Sequence, residues 1–364
     1  MKLTATIKLK PTAEHAIALK QTLETTNAAC NWISGRAWDT KTFGQYALHK
    51  LVYHECKKRF GLTAQIVVRC IAKVADAYKL DKKTRRHFRK HAAQPYDNRI
   101  LRFATDDTVS IWTVDGRIKI QWSAGEHQRK LLAFRQGESD LMFIRGKWYL
   151  ACTCDIADPG SDSTVDVLGI DLGIVNIATD SEGTVYSGAE IERKRRIFAH
   201  RRRNLQRNGS RSAKRKLKKI AGQQARYQKD VNHCISKAIV QTAQRTARAI
   251  GLEDLIGIRK RVKARRRQRN RLSNWGFNQL RSYIEYKAKL AGIPVIGVDP
   301  RYTSQECRRC FHVSRQNRLS QDTFRCVQCG FSAHADTNAA CNIQVRALVN
   351  EPMVAARQLQ LAFV

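Results

Sequence analysis

The chain opens on Leu3-Thr4-Ala5-Thr6-Ile7-Lys8-Leu9, where apolar and polar side chains alternate. Alternation with a period of two is the pattern of a half-buried strand. Pro11 ends it, and from about residue 13 to 90 the spacing becomes helical. Between Leu62 and Tyr78, apolar residues at 62, 66, 67, 70, 71, 74, 77 and 78 fall on one stripe, and the region predicts a small helical bundle. Alternation returns after Pro95. Val109 to Val114 and Arg117 to Trp122 flank Asp115-Gly116, and Met142 to Ile144 and Lys147 to Leu150 flank Arg145-Gly146. Alternating runs on either side of such dipeptides predict hairpins. Residues 1–12 and 92–157 are therefore expected to form a β-barrel, interrupted by a helical domain over 13–91.

Asp158-Pro159-Gly160-Ser161-Asp162-Ser163 has the composition of a linker. Beyond it, Val167 to Asp171, Val175 to Thr179 and Thr184 to Tyr186 predict short strands. A long basic helix is expected from about 190 to 229, and a further helix to about Arg248. Ala249 to Leu255 is a candidate strand. Trp275, Phe277, Leu280, Ile284, Ala288 and Ala291 mark one helix face, and Pro294 to Val298 is again a strand. Three strands followed by helix, strand, helix and strand fit an RNase H-like α/β domain, assigned to 165–302 and 334–364. Five of the six tryptophans, Trp32, Trp38, Trp112, Trp122 and Trp148, read as core.

Residues 303–333, between those two parts, carry Cys307-x2-Cys310 and, after fifteen residues, Cys326-x2-Cys329. Two such turns can close a tetrahedron of thiolates around zinc in a closed, structural site. The alternative, four thiols packed in a core, rarely yields two pairs at this spacing. Gly330 follows the second pair, where the turn calls for positive φ; Phe311 holds the matching place after the first and is expected to be strained. With four thiolates, His312 and His334 are not needed as ligands. The other seven cysteines are scattered and odd in number, which points to a reducing compartment rather than to disulfides.

Charge changes the picture most. The 364 residues hold 67 Lys+Arg against 31 Asp+Glu, a net charge of +36. Such a chain repels itself unless an anionic partner offsets it, and nucleic acid is the natural one. No apolar run approaches a membrane span and Met1 begins no signal peptide, so a cytoplasmic, nucleoid-associated protein is expected. Fourteen Lys or Arg and no acid lie between Arg193 and Lys219; nine of the thirteen residues from Arg259 to Arg271 are basic, again without an acid. Solvated helix faces mix both signs, because like charges four apart destabilise a helix, so these runs point to phosphate contacts. The candidates are Arg193, Lys194, Arg195, Arg201, Arg202, Arg203, Lys214, Arg215 and Lys216 in the first run, and Arg259, Lys260, Arg261, Lys263, Arg265, Arg266 and Arg267 in the second.

Three acids stand in apolar surroundings. Asp171 ends Val167-Leu168-Gly169-Ile170-Asp171, Glu253 lies in the strand from Ile250 to Leu255, and Asp336 begins a helix rich in small residues. Burying a lone carboxylate is costly unless a cation or hydrogen bonds compensate. Alternation puts Glu253 and Asp254 on opposite faces. Taken singly, each acid is more often a cap or a surface ion pair. Together they could chelate two divalent cations, magnesium or manganese, and cut a phosphodiester. Asp299, before Pro300, reads as a strand-end residue.

These segments occur in one order: Gly169-Ile170-Asp171-Leu172-Gly173, Leu252-Glu253-Asp254-Leu255, Trp275-Gly276-Phe277, Val298-Asp299-Pro300-Arg301-Tyr302-Thr303-Ser304-Gln305-Glu306-Cys307, the cysteine pairs, and Ala335-Asp336-Thr337-Asn338-Ala339-Ala340. With Val74-Ala75-Asp76-Ala77-Tyr78-Lys79 near the start, the set resembles the TnpB (OrfB) proteins of bacterial insertion sequences, relatives of type V CRISPR effectors. The resemblance implies a wedge-type barrel with a helical recognition insert, then a RuvC nuclease domain carrying a zinc ribbon. It implies a guide RNA from the transposon end, a double-stranded DNA target beside a short motif, cleavage of both strands, and a monomer on its RNA. It puts Asp171, Glu253 and Asp336 on the three RuvC carboxylate motifs, and makes Gln65 a candidate reader of the flanking motif. The departures are Phe311, where glycine is usual, and a short stretch after Asp336. Two rivals are a catalytically silent RNA-guided DNA-binding regulator, against which all three acids argue, and an RNA-independent zinc-ribbon DNA-binding protein. A strand-transferring transposase is a weak third reading, because the sequence shows no clear catalytic tyrosine arrangement.

Overall fold

The opening alternation becomes strand β1 (Lys2–Lys10), with Ala5, Ile7 and Leu9 buried and their neighbours exposed. The computed structural model describes residues 1–157, 159–160, 166–173, 175–254 and 276–361, and divides into two compact units, 1–157 and 158–364.

In the first unit, the Thr12 side chain accepts the His15 N–H and starts helix α1 (Ala13–Asp39). Helices α2 (Gln45–Phe60) and α3 (Ala64–Leu80) follow. The expected stripe on α3 is buried at Ile66, Val67, Cys70, Ile71, Val74 and Tyr78. Helix ends at Leu80, short of the expected limit near 90. The chain beyond it satisfies its backbone on α1 instead: Asn27 donates to the Lys90 and Ala92 carbonyls, Asn31 to Phe88 and Ser34 to Arg86.

Strands β2 (Gln94–Tyr96), β3 (Leu101–Phe103), β4 (Thr108–Thr113), β5 (Gly116–Ser123), β6 (Arg135–Ile144) and β7 (Lys147–Asp155) join β1 in a seven-stranded antiparallel sheet. Its order is β2-β6-β7-β1-β5-β4-β3. A short helix α4 (Glu126–Leu132) precedes β6. The edge strands β2 and β3 follow one another in sequence, and Tyr96 of β2 donates its hydroxyl to the Trp112 carbonyl of β4 at 3.0 Å, so the sheet is nearly closed. The first hairpin turns one residue earlier than expected, at Val114-Asp115, because the Thr113 hydroxyl bonds the Gly116 carbonyl and takes the Asp115 N–H. The second turns at Arg145-Gly146, both at positive φ, as its sequence predicts. Trp122 and Trp148 are buried in this core, and Trp32, Trp38 and Trp112 pack against it.

The second unit is built on a five-stranded sheet of order β10-β9-β8-β11-β12. Strands β8 (Val167–Asp171), β11 (Ala249–Glu253) and β12 (Val295–Val298) are parallel, while β9 (Asn176–Asp180) and β10 (Val185–Ser187) run antiparallel. The basic region is a hairpin of two helices, α5 (Ala189–Asn208) and α6 (Arg211–Arg245). The expected break near 229 is instead at Gly209-Ser210: Gly209 caps α5 at φ +65, and the Ser210 side chain accepts the Ala213 N–H to start α6.

Side-chain alternation gives the sheet two dissimilar faces. Leu168, Ile170, Ile250 and Leu252 pack with Ile235, Ile239 and Ala243 of α6 and with Leu280, Ile284 and Ala288 of α7 (Phe277–Leu290). Val167, Ala249 and Val298 pack on the other face with Ile343 and Ala347 of α8 (Ala335–Leu361). Gly169 and Gly251 are register partners on that second face. A Cβ on Gly169 would stand 2.1 Å from the Ala340 carbonyl oxygen and 2.6 Å from the Gln344 nitrogen; one on Gly251 would stand 3.0 Å from Ala347 Cβ. The two glycines thus give α8 its seat. Strands β13 (Thr323–Arg325) and β14 (Ser332–His334) form a separate small hairpin.

Gly169→Ala is expected to cost about 3 kcal/mol, since the clash is with backbone, and to lower the unfolding midpoint by roughly 6–12 °C. Thermal unfolding by circular dichroism measures it; an unchanged midpoint would contradict the tight seat.

Candidate functional site

The faces of the sheet decide where the acids go. Asp171 lies two residues beyond Gly169, and Glu253 two beyond Gly251, so both point to the face that α8 covers. The parallel register pairs Leu252 with Ile170, which makes Glu253 and Asp171 neighbours on the next rung, at the carboxyl ends of adjacent strands. The Ala340 carbonyl stands over Gly169. One helical turn back along α8, about 6 Å, is Asp336, and two residues along β8, roughly 6.6 Å, is Asp171. Asp336 is in the first turn of α8. Asp254 points away, with half its side chain exposed, and pairs with Arg281. Asp299 is mostly exposed and accepts the Arg301 N–H, a strand-end role.

Glu253 and Asp336 are buried, while Asp171 keeps some surface open. Asn176 donates to Asp336 Oδ2 at 2.9 Å, and Arg318 Nη2 lies 3.4 Å from Asp336 Oδ1. Thr303, itself buried, donates to Glu253 Oε1 at 2.5 Å. Burial first, then the charges of Glu253 and Asp336, push the Asp171 carboxyl up to about 8, against the opposing pull of Arg318. Burial also raises Glu253, against the Thr303 hydrogen bond. Among the described residues, three enclosed carboxyl groups are answered by Arg318 and, at Glu253, by Arg346, which leaves a surplus of negative charge and of oxygen donors that suits hard divalent cations.

The four cysteine Sγ atoms lie within 4.8 Å of one another, and among the described residues no other set of three or more such ligands is gathered as tightly. Cys307 and Cys329 Sγ are 3.7 Å apart, and Cys310 and Cys326 Sγ 3.5 Å. A tetrahedron with Zn–S bonds of 2.3 Å has edges of about 3.8 Å, so the thiols fit zinc. The two knuckles repeat one geometry: the Phe311 N–H bonds the Cys307 carbonyl, and the Gly330 N–H bonds the Cys326 carbonyl. Phe311 takes φ +59 and Gly330 φ +71. A side chain in that left-handed conformation costs roughly 1–2 kcal/mol.

The basic candidates divide. Arg193 and Arg195 are paired along α5 with Glu190 and Glu192, Lys194 lies over the Tyr227 ring, and Arg202 bonds Gln224. Arg201, Arg203, Lys214, Arg215 and Lys216 are exposed. Arg201, Lys216 and Lys219 rim a groove of about 530 Å³ between the helices, floored by Leu205 and Ile220. Arg259, Lys260, Arg261, Lys263, Arg265, Arg266 and Arg267, with Leu255 and Trp275, lie outside the described residues. The Gln65 amide is engaged within its own unit, by Asp97 on its nitrogen and Arg99 on its oxygen. Sequence reasoning missed Arg318 and Thr303. Nothing in a chain of 67 basic residues singles out one arginine, whereas the buried pair Asn338 and Asn342, four apart on α8, is a polar signal within an otherwise small-residue face.

Two outcomes follow from these sites. Stoichiometric zinc is expected by elemental mass spectrometry and should be lost in Cys326→Ser; a zinc-free wild-type protein would contradict the site. Asp171 titrates at about 8 in the folded chain against 3.8 in an unfolded one, so its contribution is complete below about pH 4 and is lost as pH rises to about 8. Without added divalent cation, thermal stability should therefore fall over that window, and Asp171→Asn should flatten the fall; identical pH profiles would contradict the coupling.

Two family profiles match the chain: one described as a probable transposase, over residues 155–257, and one as a Cas12f1-like TNB domain, over 277–343. The chain is 33% identical over 219 residues to the CRISPR-associated endodeoxyribonuclease Cas12f1 of Sulfoacidibacillus thermotolerans, covering 55% of this chain and 50% of that protein. It is 30% identical over 217 residues to the putative RNA-guided DNA endonuclease InsQ of Escherichia coli, covering 54% and 53%. It thus spans about half the length of these curated relatives. A TnpB-like protein of Methanocaldococcus jannaschii is 30% identical over 189 residues, covering 49% of this chain and 67% of that protein. Among solved structures, a cryo-EM structure of a Cas12f1–sgRNA–target DNA complex shares the fold, with a TM-score of 0.65 at 16% identity over 90% of this chain and 82% of that one. By its match across two thirds of the archaeal relative and by both profiles, the chain belongs to the TnpB (OrfB) family.

Proposed function

We propose that this protein is an RNA-guided DNA endonuclease that cuts both strands of its target at a single RuvC-like carboxylate site. The observation that carries the reading is the arrangement of Asp171, Glu253 and Asp336: two acids on neighbouring rungs of parallel strands and a third in the first turn of the helix above them. The names of the relatives support it, since Cas12f1 is an endodeoxyribonuclease and InsQ a putative RNA-guided DNA endonuclease. In this reading the first unit is a wedge-type barrel with recognition helices. Residues 165–302 and 334–364 form an RNase H-like RuvC domain, and 303–333 a zinc ribbon. The partners are a guide RNA from the transposon end and double-stranded DNA beside a short motif, with the protein acting as a monomer on its RNA. Base pairing would read sequence while the protein reads shape and motif.

Asp171, Glu253 and Asp336 would hold magnesium or manganese through their oxygens. Bound there, such cations supply an activated water and stabilise the leaving oxygen of phosphodiester hydrolysis. The chain's own groups prepare the site. Asn176 fixes Asp336, Thr303 fixes Glu253, and Asp171 keeps its proton until positive charge arrives. Arg318 lends a guanidinium whose remaining N–H groups can meet a phosphate oxygen. The exposed cations of α5 and α6 offer phosphate contacts whose strength falls with salt.

Asp171→Ala is expected to lower cleavage of a guide-matched plasmid in magnesium by a hundredfold or more, about 3 kcal/mol, while guide RNA still co-purifies and target still binds. Full retained cutting would remove the proposed site. Wild-type protein that carries no discrete RNA would instead favour the RNA-independent reading.

A further inference from the structure

Among the described residues, the Glu253 carboxylate has one close donor, and it belongs to the segment entering the ribbon. Thr303 is 2% exposed, and its Oγ1 lies 2.5 Å from Glu253 Oε1 and 3.1 Å from the Pro300 carbonyl oxygen. A hydroxyl carries one proton, and an ionised carboxylate is the stronger acceptor of the two. Threonine's branched Cβ also stiffens χ1, so the hydroxyl's direction is set by its backbone.

That backbone is fastened to α8. Asn342, 3% exposed, donates its amide to the Thr303 carbonyl at 2.9 Å and to the Glu306 carbonyl at 2.7 Å. Asn338 donates to the same Glu306 carbonyl at 2.8 Å. Arg346 donates to the carbonyls of Asp299 and Arg301 and reaches the Glu306 carboxylate. Residues 338, 342 and 346 are four apart, so one face of α8 grips the whole segment 299–306. The helix that carries Asp336 therefore also sets the place of the hydroxyl that orients Glu253.

We propose that Thr303 is a positioning residue for the divalent-cation site: its hydroxyl, clamped in place by Asn338, Asn342 and Arg346, holds the Glu253 carboxylate toward Asp171 and Asp336. The role rests on the carboxylate reading given above. It predicts that a group touching no cation governs cation affinity. Partners that orient metal ligands typically change affinity ten- to a hundredfold when removed.

The test titrates manganese alone into the full-length, zinc-loaded protein and follows free manganese by electron paramagnetic resonance. Thr303→Val, nearly isosteric and lacking the hydroxyl, should bind manganese about ten- to a hundredfold more weakly, and Thr303→Ser, which restores the hydroxyl, should return close to wild type. Zinc content should stay at wild-type values in both, and each variant is titrated well below its own unfolding midpoint, where a merely structural role would leave manganese affinity unchanged. Thr303→Ala replaces Thr303→Val should the valine fail to fold. Glu253→Ala is the reference for loss of a ligand. If it binds less manganese while a folded hydroxyl-free variant binds like wild type, the positioning role is overturned and the carboxylate site stands. If Glu253→Ala itself binds like wild type, the carboxylate reading fails and takes the positioning role with it.

Discussion

Helix α8 can lie against the five-stranded sheet only because two neighbouring strands present no side chain where it crosses. With Gly169 and Gly251 paired in register, the helix backbone comes close enough that a single methyl on Gly169 would collide with a carbonyl oxygen. Alternation then does the rest. Whatever stands two residues further along each strand must point at the amino-terminal turn of that helix. Asp171 and Glu253 stand there, Asp336 begins that helix, and the charges of Glu253 and Asp336 both act on the Asp171 carboxyl. The glycine seat is a packing feature, yet it is what gives three acids, distant in sequence, one address.

Bringing them together is unfavourable in the bare protein. Enclosed carboxyl groups lose hydration and repel one another, and the chain answers with a guanidinium from Arg318, an amide from Asn176 and a hydroxyl from Thr303. None of these matches the charge. Among the described residues, the guanidinium groups that act on these acids are those of Arg318 and Arg346, few for a protein of net charge +36. Among the described residues, a long basic run lies on the hairpin of α5 and α6, where like charges fit phosphate backbones better than one another. An acidic pocket and a basic helical hairpin on one unit are the electrostatic division that the proposed nuclease reading needs.

Much of this was legible in the sequence, and the reasons are local. An acid closing a short apolar strand, as in Leu168-Gly169-Ile170-Asp171, is conspicuous because burial is costly there, and the cysteine pairs state their own geometry. Thr113 moved a hairpin turn by one residue through a side-chain bond that no dipeptide rule anticipates. Asn208-Gly209-Ser210 carries both a helix stop and a helix start, but it lies inside a basic run that continues on both sides and leaves no break in the charge pattern. Gly169 and Gly251 were visible as residues and not as a helix seat, because a glycine in a strand says only that something approaches, not what. Arg318, Asn338, Asn342 and Arg346 act on partners 18 to 40 residues or more away, and roles that exist only through such contacts leave no periodicity to read.

The most direct measurement of the central claim is a manganese-soaked crystal structure read by anomalous scattering. The expected result is strong peaks between the carboxylates of Asp171, Glu253 and Asp336, beside a separate zinc at Cys307, Cys310, Cys326 and Cys329. Manganese bound elsewhere, with those three carboxyl groups still bare at saturating concentration, would contradict it.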